Sequence, residues 1–384
     1  RGDLPKKYFL NQQMMGRILM NYKKFHITRI LFSLFLIVGL CFLLIINTTA
    51  SRGQAINDET LPANSKYLPI ILRQPTPTST STPVPTPTPE PITQGVLTFH
   101  QADDSIPYNW FSYVPSSLNI AQSNYIWVSG VHGNLVTDDY NLITEESRNQ
   151  AEWRTELAEQ HKLILIVPVI PRPYTNYIYV VSLTWKVFLE ETSYIYQRPD
   201  YKLNAMLDKF SYDLRGNGYN VQDKIFIDGF SAGAMFAQRY ALLHPARVKA
   251  LAAGQCGGAM TLPESAYGST QMEWPVGIYD FNTLVGYPFD LQSYQQVHQY
   301  IYIGDQDTNN STLWGWGELW KSQEQVDFLI NTFGSTDPIR LQNQVSYLNS
   351  HDYNNIEFHM YPGVGHTITS QMVNDTFSFF NSFR

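Results

Sequence analysis

The chain has 384 residues, 43% of them hydrophobic and 15% charged, which is enough for one large domain with appendages. Residues 1–29 carry seven Lys or Arg and one acid, whereas from Gly95 onward 16 basic residues stand against 29 acidic ones, a net of −13. An acidic globular part argues against nucleic-acid binding and docking on anionic lipid, and two cysteines, Cys41 in an apolar segment and Cys256 alone, exclude a disulfide framework.

Ile30 to Ile46 is an unbroken apolar run preceded by Lys23, Lys24 and Arg29. Two readings fit it: a signal peptide removed after export, or an uncleaved membrane anchor. At about 17 residues it is short for a spanning helix and long for a signal core. The small residues of Asn47 to Ser51 favour the signal peptide, and Met20 is a start that leaves a basic segment of ordinary length. Both readings export everything beyond residue 50, and contact with a membrane is expected only through this segment. Residues 74–91 alternate Pro with Thr, which favours an extended spacer of roughly 50 Å. The expected organisation is a basic and apolar N-terminus over 1–50, a Pro/Thr-rich linker over 51–94 and a globular domain over 95–384.

Within the globular part, Val96 to His100 and Tyr108 to Pro115 read as a pair of antiparallel edge strands, and Tyr125 to Gly130 as the next strand. Thr144 to His161 is helical in composition, with Ala151, Leu157 and Ala158 facing inward. Leu163 to Ile170 is a doubly buried strand of the kind found in parallel sheets. A strand, a helical crossover and a second strand predict an α/β fold with a mostly parallel sheet. Leu203, Met206, Leu207, Phe210 and Leu214 then mark one helix face, ended by Gly216 and Gly218. Two stretches, about 172–200 and 257–297, are too long for connections and rich in aromatics (Tyr174, Trp185, Trp274, Phe281). They predict cap insertions over the C-terminal ends of the strands.

The most informative stretch is Lys224 to Ala237. It begins as a buried strand (Ile225, Phe226, Ile227) and ends as an Ala-rich helix, with Gly229-Phe230-Ser231-Ala232-Gly233 between them. A chain that passes from strand to helix without a loop must turn within one or two residues. The residue at the apex is strained and exposed, and small residues must flank it at two positions on either side. Ser231 is that apex, beside the positive end of a helix dipole. The strand Tyr300 to Gly304 ends in two acids, Asp305 and Asp307. The last strand, Ile356 to Tyr361, runs into Pro362-Gly363-Val364-Gly365-His366, a Gly-rich loop from which His366 can swing over the Ser231 turn. His359 lies within a strand and His351 in a polar turn, so both read as structural. Thr367 to Phe383 reads as a closing helix.

These residues resemble the nucleophile elbow and the Ser, Asp, His order of the α/β-hydrolase family over roughly residues 95–384. The resemblance is strongest to secreted serine esterases of the branch that holds polyhydroxyalkanoate depolymerases and feruloyl and acetylxylan esterases. It implies an α/β-hydrolase fold with Ser231 as nucleophile, His366 as general base and acid, and Asp307 as the acid that orients it, the G-x-x-D register selecting Asp307 over the alternative, Asp305. It also implies an oxyanion hole built from the N–H groups of Ala232, Gly133 and Asn134, with His132 shaping the loop. The implied activity is hydrolysis of carboxylic esters through an acyl-enzyme, with plant-polymer and polyester esters as substrate classes. No metal-ligand cluster, phosphate loop or dinucleotide fingerprint is present, so no cofactor is expected. Two alternatives stay open: a serine peptidase of the same fold, and a non-catalytic stalked surface domain that binds polysaccharide through its aromatic insertions.

Overall fold

The computed structural model describes residues 88–129, 135–174, 180–314 and 317–384, all within the second of the two units into which the chain divides, Thr86–Arg384. The apolar run 30–46 and most of the Pro/Thr segment lie outside the described residues. Among those described, no helix is long and apolar enough to cross a membrane.

One sheet of eight strands organises the domain: β1 (Leu97–His100), β2 (Trp110–Tyr113), β3 (Ile126–Val128), β4 (Ile164–Pro168), β5 (Ile225–Phe230), β6 (Val248–Gly254), β7 (His298–Gly304) and β8 (Ile356–Tyr361). Their spatial order is β1-β2-β4-β3-β5-β6-β7-β8. β2 runs antiparallel to both neighbours, and every other pair is parallel. That order, with β2 alone reversed, is the α/β-hydrolase fold. Ile164 to Val167 of β4 are all fully buried, which is why this strand reads as a continuous apolar run rather than an alternation.

Helices cover both faces: α1 (Tyr140–His161), α2 (Pro199–Gly216), α3 (Ala232–Leu243), α4 (Gln323–Phe333), α5 (Asp337–Asn349) and α6 (Ser370–Asn381). One core joins Leu203, Met206 and Phe210 of α2 and Phe236 and Tyr240 of α3 to Ile227 of β5 and Ile301 of β7. The opposite core joins Ile143, Ala151 and Ala158 of α1 and Phe377 and Phe380 of α6 to Trp127, Phe226 and Tyr302. α1 begins four residues before the Thr144 start read from composition. The Asp139 side chain caps it by accepting the N–H groups of Asn141 and Leu142, and Lys162 ends it with a left-handed φ of 49°.

Two further differences from the sequence reading have local causes. Residues 88–94, the end of the stretch expected to be linker, lie against α2. Asp213 accepts the Glu90 N–H at 3.0 Å, and Asn217 donates to the Glu90 carbonyl at 2.7 Å. A Cβ on Gly216 would meet Pro89 Cγ at 2.2 Å, so only glycine admits this contact. The second difference is the stretch between Asp307 and β8, to which the sequence reading assigns no element and which forms α4 and α5. Its signal is present in hindsight, as Ser322 accepts the Gln325 N–H at the start of a helix on which Val326, Leu329 and Phe333 are buried at helical spacing.

The insertions contribute to the first core, where Val180, Val181 and Trp274 join Phe236 of α3. Trp274, fully buried, donates its indole N–H to the Leu183 carbonyl at 3.0 Å, which joins the second insertion to the first. Tyr194 and Tyr279 remain exposed.

His100, near the docked segment, stacks on Trp110 with ring centres 3.6 Å apart and pairs with Ser112 Oγ at 2.8 Å. Burial pulls its pKa from 6.5 down to about 4. The folded state therefore resists protonation that the unfolded chain accepts, and stability should fall as pH drops from about 6.5 towards 4. Urea midpoints across that window should decline more steeply for the wild type than for His100→Gln; parallel curves would contradict this assignment.

Candidate active site

β5 ends at Phe230 and α3 begins at Ala232, so Ser231 alone makes the turn. Its backbone sits at φ 57°, ψ −122°. For a residue with a side chain such a conformation costs about 1–3 kcal/mol, and it persists only where its surroundings over-determine it. Those surroundings are visible. A Cβ on Gly229 would stand 2.1 Å from the Gly233 carbonyl oxygen, so strand and helix close only around glycine. The Ser231 N–H is fixed on the Gly254 carbonyl at 2.9 Å, and the Ser231 carbonyl starts α3 by accepting from Ala234 and Met235. The Ala232 N–H belongs to the first turn of α3, where N–H groups have no acceptor one turn back within the helix.

Asp228, three residues before the apex, supports the elbow strand from the α1 face. Burial raises its carboxyl above the ordinary range, while the charge of Arg154, the Ser129 hydroxyl and the Trp127 indole N–H at 2.7 Å hold it the other way. Arg154 also donates to Ser129 Oγ at 2.8 Å. Ser129, the residue that follows β3, is thereby tied to the elbow strand. Gly133 and Asn134, expected to supply N–H groups, and His132 lie outside the described residues.

Asp307 and His366 meet. His366 Nδ1 lies 2.9 Å from Asp307 Oδ2, and the Asn309 N–H donates to Asp307 Oδ1 at 2.9 Å. The carboxylate accepts only, so Nδ1 carries the proton and Nε2 is left with a lone pair. Asn309 Nδ2 occupies that lone pair at 3.0 Å. The His366 ring lies against Phe230, centres 5.0 Å apart, which puts the imidazole beside the elbow. No hydrogen bond joins Ser231 Oγ to His366 among the described residues. The imidazole is held between Asp307 and Asn309.

The two acids at the end of β7 have different partners. Asp307 is 5% exposed and faces the imidazole. Asp305 is exposed and instead accepts the Gly363 N–H at 2.7 Å, which anchors the loop that carries His366. The same loop is held by Gln255 Nε2 on the Gly365 carbonyl at 2.7 Å and by the Gln306 N–H on the Val364 carbonyl at 3.0 Å. A Cβ on Gly304 would meet that Val364 carbonyl at 2.0 Å, a close approach that only glycine permits.

Sequence reasoning misses Asn309, Gln255 and a buried ion pair beneath the acid loop. Arg340, fully buried, reaches Asp337 Oδ1 at 2.9 Å, Thr312 Oγ1 at 2.9 Å, Asn310 Oδ1 at 3.3 Å and the Gly258 carbonyl. Burial pushes the Asp337 carboxyl up to about 6 and lowers the Arg340 pKa, so desolvation outweighs the attraction within the pair. The i,i+3 spacing of Asp337 and Arg340 reads as an ordinary surface pair on a helix, and the carbonyls and hydroxyls that bury it come from distant turns. Arg340→Ala should cost about 3–5 kcal/mol, since it strands Asp337 in the interior. Denaturant unfolding measures this, and a loss below 1 kcal/mol, on the scale of an exposed pair, would show the pair to be solvated.

No metal-binding group of three or more His, Cys, Asp or Glu is present among the described residues. With the strand order and the elbow in place, the domain is an α/β-hydrolase by fold. Comparison with protein-family models finds none that matches, and comparison with curated proteins finds no similar sequence. Among solved structures the chain is similar to poly(aspartic acid) hydrolase-1 from Sphingomonas sp. KT-1, at 17% identity over 76% of this chain and 98% of that one, TM-score 0.49. It is also similar to a poly(3-hydroxybutyrate) depolymerase from Bordetella parapertussis (16% identity, 76% and 91%, TM-score 0.47). A third is an acetyl xylan esterase from Aspergillus awamori (16% identity, 74% and 100%, TM-score 0.42).

Proposed function

We propose that the protein is an exported serine hydrolase that cleaves carboxylic esters through an acyl-enzyme. The observation that carries this reading is a strained, helix-capping Ser231 at the end of β5, with an imidazole oriented by a buried carboxylate packed against the preceding residue.

In this reading an ester carbonyl enters above Ser231, and the imidazole exchanges Asn309 for the seryl hydroxyl. Ser231 Oγ attacks the carbonyl carbon while His366 Nε2 takes its proton, and Asp307 stabilises the resulting imidazolium. The negative oxygen is received by the Ala232 N–H together with N–H groups of Gly133 and Asn134; each such donor is worth about 3 kcal/mol in the transition state. His366 returns the proton to the leaving alcohol, and water repeats the sequence on the acyl-enzyme. Export rests on the basic and apolar segment before residue 50, and the Pro/Thr segment serves as a spacer.

Short-chain nitrophenyl esters should be hydrolysed with a burst equal to the enzyme concentration when deacylation is slow. Aminoacyl nitroanilides should be poor substrates. Turnover of the anilides alone would replace the esterase reading with a peptidase. No turnover of either, with retention on an insoluble polysaccharide, would replace it with a binding module.

A further inference from the structure

β6 carries none of the three candidate triad residues, yet it lies between β5, which ends next to Ser231, and β7, which leads to Asp307. The turn at its end touches every segment that carries one. The Gly254 carbonyl takes the Ser231 N–H at 2.9 Å. Gln255 donates its own N–H to the Tyr302 carbonyl of β7 at 2.7 Å. Its side-chain Nε2 donates to the carbonyl of Gly365, one residue before His366, at 2.7 Å. Gly257 lies against Met235 near the start of α3, and Gly258 is so close to the acid loop that a Cβ there would meet the Thr312 backbone nitrogen at 2.9 Å.

Gln255 occupies this turn at a cost. Its φ of 50° is left-handed, a region that side chains other than Asn and Asp seldom adopt. The residue is only 1% exposed, and its Oε1 has no hydrogen-bond partner among the described residues. Backbone strain and an unsatisfied buried oxygen both call for a reason, and at functional sites that reason is often the site itself. The backbone alone would be better served by Asn or Gly. The Gly365 carbonyl does not depend on the amide either, because it also accepts the Thr367 N–H at 2.8 Å. What glutamine adds is reach, from the strand end beside Ser231 to the loop that carries the imidazole.

We propose that Gln255 is a positioning residue for His366. Through the Gly254–Ser231 and Gln255–Gly365 hydrogen bonds, two consecutive residues fix the base loop relative to the elbow. The proposal rests on the serine-hydrolase reading of this site, and the amide acts through the loop rather than on the ester.

Two variants of the full chain test it. Gln255→Asn suits the left-handed backbone better but is one methylene too short to reach Gly365, and Gln255→Met keeps the length and offers no donor. Both should have a Tm near that of the wild type; if one fails to fold, the other decides. Both should lower kcat, and the rate at which a fluorophosphonate labels Ser231, by about 10- to 100-fold with KM little changed, since a base displaced by about 1 Å loses that much. A residue that only stabilised the turn would show the opposite, a lower Tm with kcat kept. Hydrogen exchange read by mass spectrometry is independent of the chemistry, and the peptide over residues 363–367 should exchange roughly tenfold faster in both variants. A wild type that turns over no ester would sink the serine-hydrolase reading, while exchange would still report on the bridge. Wild-type kcat in either variant, an effect confined to KM, or unchanged exchange over 363–367 would each overturn the proposal.

Discussion

Ser231→Ala should lower ester turnover by about a million-fold, the scale on which removal of a serine nucleophile acts when the rest of its triad remains. The argument is local. The hydroxyl stands at the strand end, and the backbone that presents it is held by the Gly254 carbonyl and the Gly229–Gly233 contact rather than by the hydroxyl itself. The fold should therefore survive, and the loss should fall on the chemical step. Ser231→Gly adds a second reading of the same position. Glycine adopts φ 57° without penalty, so this variant should be as inactive and also more stable, by about 1 kcal/mol or more, as the strain is released. A more stable, inactive protein would show strain kept for the sake of the site. Unchanged activity in either variant would remove Ser231 from the chemistry.

Asp307→Asn should cost about 10⁴ in kcat, because an amide at this position favours the wrong imidazole tautomer. The geometry allows a sharp contrast two residues away. Asp305→Asn keeps a carbonyl oxygen that can accept the Gly363 N–H, so it should lower activity far less, by loosening the loop rather than by disturbing the imidazole. Kinetics of the two variants side by side decide the acid. A larger loss in the Asp305 variant would transfer the role to Asp305.

Sequence and structure agree best where the signal is local. The elbow was legible because a strand, a tight turn and a helix each impose their own residue types within fourteen positions, Lys224 to Ala237. The α2 face and the doubly buried β4 were legible from periodicity alone. Asn309 was not legible, since an asparagine after an acidic turn has many ordinary uses, and only the fold brings it to within 3.0 Å of His366 Nε2. The role of the aromatic insertions was less legible. Trp274 and Phe281 are interior residues in contact with each other, and Trp274 ties one insertion to the other. Composition records that aromatics are present, not which side of them faces solvent. The burial of Arg239 was invisible for the same reason: a lone Arg in an Ala-rich helix reads as a surface residue until the first insertion closes over it.

The most direct measurement is covalent labelling of the wild-type protein by a fluorophosphonate, with the modified peptide identified by mass spectrometry. The account predicts a single adduct on the hydroxyl of Ser231, formed quickly in the wild type and very slowly in His366→Ala, where the base is gone. Labelling that is absent, that falls on another residue, or that proceeds equally well without His366 would contradict it.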